Sequence, residues 1–231
     1  RIERDHGVEV KVGAPRVVYR QTLASEKDIE GKQIKQSGGS GQYAVVNIRF
    51  SSLALDAEEP YEFVDSTKGG VVPDTYIPAV RKGVQESMNA GGKLGWPFVG
   101  IQADLHFGKH HDVDSSELAF QLAAERAFRE AADGNFKLLE PVMRLNVQVP
   151  EEYIGDVIGD LNTRRVSIKE LTMDGPLREI DGQVPIAEMF KYAGTLRGLT
   201  QGRGNFSMEP SGYQVVPVAV QEKLVRDRMG D

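Results

Sequence analysis

The chain has 231 residues, 40 % of them hydrophobic and 27 % charged, with a formal net charge of −6 and no cysteine. That length supports two modest domains with cores of their own; the lack of cysteine excludes a disulfide framework and suits a reducing compartment, and no apolar run is long enough to span a bilayer. The acidic balance excludes a surface that coats nucleic acid throughout, so any contact with RNA has to come from local basic patches.

Val8, Val10 and Val12 alternate with Glu9 and Lys11 as a lone strand, and Arg1 stands where an initiator Met would. Residues 1–14 therefore read as the remnant of an upstream domain, and the chain as a fragment. Pro15 to Leu23 reads as the first strand of the next domain. Ile29 to Gln36 and Gln42 to Phe50 read as two more, joined by Ser37-Gly38-Gly39-Ser40-Gly41, whose glycine density marks a hairpin loop. Between Glu30 and Asp56 the only charged side chains are Lys32, Lys35 and Arg49, which makes this ribbon locally basic. The glycine loop does not read as a nucleotide cradle, because no Gly-Lys-Ser/Thr follows and the next element is a strand. Asp56 to Asp65 is an acidic excursion leading into a strand at Tyr61 to Val64. Pro78 suits a first helical turn, Val80, Val84 and Met88 recur at helical spacing, and Gly91-Gly92 ends the helix. Trp96 reads as a core residue.

Val99, Ile101, Ala103, Leu105 and Phe107 alternate with Gly100, Gln102, Asp104 and His106, the period of a half-buried strand. Downstream, Gln121, Glu125, Arg126, Arg129 and Glu130 form a polar stripe on an otherwise apolar helix. Asp114 followed by Glu117 has the form of a capping box, so the helix is expected from Asp114 to Asp133. Gly108 to Val113 is then a loop tip that holds His110, His111 and Asp112, with His106 at the strand end. Such a tip can be merely solvated, or it can attract an anionic partner with Lys109 and the histidines. A metal-dependent hydrolase built on His106, His110, His111 and Asp112 is a further reading. It is disfavoured, because adjacent loop residues rarely reach one ion and neither a cysteine nor a His-Glu-x-x-His helix assists them.

Phe136 to Pro141 reads as a hinge. Beyond it the sequence repeats at a spacing of 35 residues, with Val149-Pro150 matching Val184-Pro185, Ile154 matching Met189, Ile158 matching Ala193 and Leu161 matching Leu196. Each half reads as strand, Val-Pro, helix, basic turn, strand, with Ile154, Val157, Ile158 and Leu161 in helical period in the first and Met189, Ala193 and Leu196 in the second. Two such halves joined at Asp174-Gly175-Pro176 predict a split βαβ, ferredoxin-like sandwich. The basic turns are Asn162-Thr163-Arg164-Arg165 and Arg197-Gly198-Leu199-Thr200-Gln201-Gly202-Arg203-Gly204. Glycine-rich backbone can approach phosphates closely, while arginines at helix C-termini also complement the macrodipole, and both roles stand open. Val216, Val220 and Leu224 predict a last amphipathic helix after Pro217.

The run His106-x-x-x-x-His111-Asp112-Val113-Asp114-Ser115-Ser116-Glu117-Leu118-Ala119-Phe120 resembles the tip loop and following helix of the fourth domain of bacterial translation elongation factor G, the ribosomal translocase. Residues 36–43 (Gln-Ser-Gly-Gly-Ser-Gly-Gln-Tyr), 68–73, 76–80 and 155–161 extend the resemblance over nearly the whole chain. It implies an α+β chain of two domains. A ribosomal-protein-like βαβ domain with a left-handed crossover occupies 15–140 and is completed by the C-terminal helix at 215–228; the ferredoxin-like domain, similar to domain V, occupies 141–212. It further implies GTP-dependent movement of tRNA and mRNA on the ribosome, with no catalytic residue in this chain and no cofactor bound to it. GTP and magnesium would belong to a nucleotide-binding domain outside it. On this resemblance Ser37, Gly38, Gly39, Ser40, Gly41, Gln42, Gly108, Lys109, His110, His111 and Asp112 meet tRNA, mRNA and the decoding region. Arg164, Arg165, Arg197, Thr200, Gln201 and Arg203 meet ribosomal RNA near the GTPase-associated centre. His111 matches the tip histidine that carries diphthamide in the eukaryotic counterpart. Ser40 and Lys109-His110 depart from the commoner Arg and Ser-Tyr. A cytoplasmic monomer is expected. The alternatives are a specialised paralogue in ribosome recycling or protection, and a stand-alone RNA-binding module.

Overall fold

The computed structural model describes residues 16–36 and 39–230. The strand expected at Val8 to Val12, with the rest of 1–14, and the loop residues Ser37 and Gly38 lie outside the described residues. The chain divides into two units, one built on Tyr19–Glu140 with the stretch from Tyr213, the other on Pro141–Gly212.

The first unit carries a four-stranded sheet. Strands β2 (Lys27–Lys35), β3 (Gln42–Ser52) and β5 (Ile101–His110) are antiparallel neighbours, and β4 (Tyr61–Asp65) lies parallel to β5 on its far side. A parallel pair needs a crossover, supplied here by α1 (Ile77–Ala90), which has Pro78 in its first turn and ends on Gly91 in the left-handed conformation, φ 70°. The short strand β1 (Arg20–Leu23) pairs elsewhere; Pro15 lies outside the described residues, and the described part of the run expected from it is regular only from Arg20. Helix α2 (Glu117–Ala132) presents Ala119, Ala123, Ala124, Ala127 and Ala131 with Phe120 and Phe128 to the sheet. Its alanines let the backbones come close: a Cβ on Gly31 of β2 would stand 2.8 Å from the Ala127 methyl and would overlap the Ala123 carbonyl. The core joins Val46, Ile48 and Phe50 of β3, Ile101, Ala103 and Leu105 of β5, Val80 and Val84 of α1, and the α2 phenylalanines. Phe50 and Phe98 each meet Phe128 edge-on, at 5.4 and 5.2 Å. Each such fully buried large side chain contributes about 1.5–3 kcal/mol.

Leu94, Leu138 and Val216 form a satellite cluster covered by Val220, Leu224 and Val225 of α5 (Val218–Met229). Val216 therefore precedes the helix that the spacing assigned it to. Trp96 is only half-buried, between the Tyr19 ring at 5.1 Å and the Arg228 guanidinium at 5.3 Å, and so closes the rim of this cluster rather than filling a core.

The second unit follows the strand-helix-strand repeat: β6 (Phe136–Pro150), α3 (Ile154–Thr163), β7 (Ser167–Asp174), β8 (Leu177–Pro185), α4 (Tyr192–Leu199) and β9 (Asn205–Val215). Within it β6 lies between β8 and β9, and β7 is at the edge beyond β8. Leu145, Val147 and Val149 pack with Val157, Leu161, Ile180, Val184, Met189, Tyr192 and Leu196. The hinge expected at Phe136 to Pro141 contains the division between the two units, at Glu140 and Pro141, and the backbone through it is regular strand. Pro141 stands in the gap between the ladder to β1, which ends at Leu139, and the ladder to β8, which begins at Val142. The two halves also differ. A 3₁₀ turn at Glu151–Tyr153 runs straight into α3, whereas the turn at Ile186–Met189 is followed by Lys191 at φ 60°, and α4 starts only at Tyr192. Met189 reaches the core from the turn, not from a helix.

Candidate nucleic-acid interface

Strand β5 does not end where its alternation suggested. Ile48 faces Leu105 and the next β3 residue, Asn47, faces Phe107, which leaves His106 as the extra residue of a bulge. The bulge reverses the phase of the pleat: Phe107 turns outward with 41 % of its surface exposed, and Gly108 turns inward. The strand then continues to His110. Gly108 and Lys109 are thus ladder residues opposite Val46 and Val45, and only His111 to Ser116 make the turn. A Cβ on Gly108 would stand 2.6 Å from the Val45 carbonyl oxygen and would overlap the Val72 side chain. Gly108 is placed for close packing, and it does not present a tip surface as the resemblance implied.

The capping box is also replaced. The cap of α2 is Ser116, with extended backbone and a hydroxyl that accepts the Ala119 N–H at 3.1 Å. Asp114 is instead drawn to the loop, its carboxylate 3.6 Å from His111 Nδ1. His111 Nδ1 accepts the backbone N–H groups of Val113 and Asp114, each at 3.2 Å. In the neutral ring the proton must then sit on Nε2. The His111 side chain is half exposed and its ring lies 6.0 Å from that of Tyr43. His110 Nδ1 lies 3.1 Å from the Val71 carbonyl, while Asp112 is 97 % exposed. His106 is away from the turn, with Nε2 2.8 Å from Asp28. Among the described residues no three His, Asp or Glu side chains converge as metal ligands.

The glycine hairpin meets this turn directly. Lys35 and Gln42 close the β2–β3 ladder, and a hydrogen bond from Gln33 to the Gln42 side chain at 2.6 Å spans its base. The Tyr43 N–H donates to the Asp114 carbonyl at 2.9 Å, and Ser115 Oγ donates to the Tyr43 carbonyl at 2.6 Å. Gly41 lies so near the Asp114 carboxylate that a Cβ would stand 2.5 Å from it. Gly41 is thus brought against Asp114, in the turn that carries His111 and Asp112. Tyr43 and Ser115, which make the junction, carried no role in the sequence reading; an aromatic residue two positions after the last hairpin glycine was the available signal.

The ribbon is less basic than its composition suggested. Lys32 pairs with Glu30 at 2.5 Å, a hydrogen bond that holds the Glu30 carboxyl below its usual range and raises the Lys32 ammonium. Arg49 lies 3.8 Å from both Glu26 and Asp28, acids outside the window counted and placed there by the Asp28–Arg49 cross-strand pair. Of those three cations only Lys35 has no ion pair among the described residues.

The basic turns of the second unit separate into two kinds. Arg164 is folded inward: Nε meets Asp160 at 2.9 Å, Nη1 donates to the Glu188 carbonyl at 2.7 Å, Nη2 donates to Thr195 at 3.2 Å, and the guanidinium lies 5.0 Å from the Tyr192 ring centre. Thr200 is buried, its hydroxyl donating to the Leu196 carbonyl at 2.7 Å and accepting the Gly204 N–H at 2.9 Å. The polar side-chain atoms of both are thus committed to the fold rather than to a phosphate. Arg165, at φ 58°, pairs with Glu188 at 2.9 Å. Arg203 pairs with Glu152 at 2.6 Å, and its guanidinium is held above the usual range first by the Tyr153 hydroxyl and then by Glu152. Arg197 and Gln201 are exposed, the latter at φ 51°, and Arg197 has no ion pair among the described residues.

Comparison with known proteins places both units. Residues 15–134 match the model of elongation factor G, domain IV, and residues 137–224 match that of the elongation factor G C-terminus. An elongation factor G of Fervidobacterium nodosum is 50 % identical over 227 residues, covering 98 % of this chain and 33 % of the relative; that of Thermotoga maritima is 44 % identical over the same coverage. The chain thus spans about a third of the length of the curated relatives it matches. A solved crystal structure from Thermus thermophilus superposes with a TM-score of 0.84 at 38 % identity, covering 99 % of this chain and 34 % of that one.

Proposed function

The chain belongs to the elongation factor G family, and from that premise we propose that it is the RNA-contacting portion of a ribosomal translocase. The paired loops of the first unit enter the decoding region as tRNA and mRNA move, and the α4–β9 turn of the second meets ribosomal RNA. The observation that carries this reading is the junction of Tyr43, Asp114 and Ser115, which fuses two loops from distant parts of the chain into one polar end holding Ser40, Lys109, His110 and His111. On the second unit the contact falls to Arg197, Gln201 and Arg203, with Arg165 beside them, and not to the inward Arg164 or the buried Thr200.

The glycine hairpin does not have the form of a nucleotide cradle. The glycine hairpin returns into strand β3 rather than opening a helix, and no P-loop lysine with a following Ser/Thr exists in it. GTP, magnesium and GTP hydrolysis are therefore assigned to the remainder of a full-length factor. Among the described residues no helix is long and apolar enough to cross a membrane. Ribosome co-sedimentation of a full-length family member, in which this chain replaces the matching segment, tests the proposal. Binding that weakens on Arg197→Ala supports it, and failure of the unsubstituted chimera to bind ribosomes contradicts it.

A further inference from the structure

We infer that Ser115 is a positioning residue, which clamps the glycine hairpin to the histidine turn and fixes where His111 stands. Its hydroxyl is used twice, accepting the His111 N–H at 2.9 Å and donating to the Tyr43 carbonyl at 2.6 Å. Its single proton is thereby committed to Tyr43 and one of its two lone pairs to His111. The backbone of Ser115 is held as well: its N–H donates to the His111 carbonyl at 3.2 Å, and its carbonyl accepts the Tyr76 hydroxyl at 3.3 Å. Tyr76 in turn stacks on buried Phe120 at 4.9 Å and 14°. A chain of contacts therefore runs from the core through Phe120, Tyr76 and Ser115 to both loops, and the relative placement of Ser40, Gly41 and His111 depends on this residue. Ser116, its neighbour, has a different task, since its hydroxyl caps α2.

The inference rests on the proposed RNA role only for its functional consequence; the clamp itself is measurable on the chain alone. In Ser115→Ala, amide exchange of both His111 and Tyr43 is expected to quicken roughly tenfold, while Ala44 and Val46 in the adjoining ladder keep their rates. The Tyr43 amide is the discriminating probe, because its acceptor is the Asp114 carbonyl and the substitution does not remove it. Ser116→Ala, which weakens the helix start nearby, should leave both amides unchanged. The clamp is overturned if Tyr43 exchanges at its original rate in Ser115→Ala, or if Ser116→Ala quickens both amides to the same degree. In a full-length chimeric factor, Ser115→Ala should slow single-turnover translocation by about as much as His111→Ala. Quickened exchange with unchanged translocation would overturn the RNA role of the loops and leave the clamp standing.

Discussion

Gly108 packs beneath Val72 with the Val45 carbonyl oxygen so close that a Cβ would stand 2.6 Å from it. Backbone cannot yield as a flexible side chain can, so Gly108→Ala should destabilise the first unit by about 1–3 kcal/mol, the usual cost of overpacking. Urea denaturation measures this. Unchanged stability with lost ribosome binding would restore Gly108 to the contact surface.

Much of the fold was legible because its signals are local. Val80, Val84 and Met88 marked the α1 face, Gly91 its end, and the repeat built on Val149-Pro150 and Val184-Pro185 marked the second unit. What escaped depended on partners distant in sequence. The bulge at His106 arises from pairing with Asn47 and Ile48, and it inverted the faces of Phe107 and Gly108. Asp114, the expected helix cap, turns toward Gly41 and His111, and Ser116 takes the cap in its place. For Arg164 a phosphate contact and a structural role both stood open, and nothing in its neighbourhood announced the Glu188 carbonyl and Thr195 that hold it.

The cap assignment makes a distinction between adjacent residues. Ser116→Ala should cost about 1 kcal/mol through the lost Ala119 N–H bond. Asp114→Ala, which loses a partly exposed contact with His111, should stay within about 0.5 kcal/mol. Thermal melts of the two variants compare them, and the reverse ranking would return the cap to Asp114.

Under the proposed RNA role, the arginines divide between fold and RNA. Arg164→Ala removes charged hydrogen bonds to Asp160 and two elements of the second unit, and should cost about 1.5–3 kcal/mol with no change in the salt dependence of RNA binding. Arg197→Ala should leave stability within about 0.5 kcal/mol and lower the counterion-release slope by roughly 0.7–0.9. Binding isotherms at several salt concentrations, paired with melts, would expose an exchange of these roles.

Tyr192 gives the second unit an alkaline limit. Burial, with a smaller push from Asp160, raises its phenol from 10.0 to about 12, and its hydroxyl is buried without a hydrogen-bond partner among the described residues. Below pH 10 the phenol is neutral whether folded or unfolded. Above it the unfolded chain releases the proton first, so stability is full below the unfolded value and falls as pH rises through the folded one, by an amount on the order of 1–3 kcal/mol. Tyr192→Phe should remove that part of the decline and should not destabilise the unit at neutral pH. Denaturation midpoints between neutral pH and pH 12 test this; an unchanged alkaline decline in the variant would place its source elsewhere.

The turn at His111 is proposed to act on RNA and not on the fold. Its side chain is 51 % exposed and its ring meets that of Tyr43 at 6.0 Å, so His111→Ala should change stability by no more than about 0.5 kcal/mol. The decisive measurement is single-turnover translocation by a full-length factor carrying this chain, with ribosome-stimulated GTP hydrolysis followed in the same preparation. The expected result is slowed movement of tRNA and mRNA with GTP hydrolysis nearly intact; translocation at the unsubstituted rate would contradict the assignment of this loop to RNA.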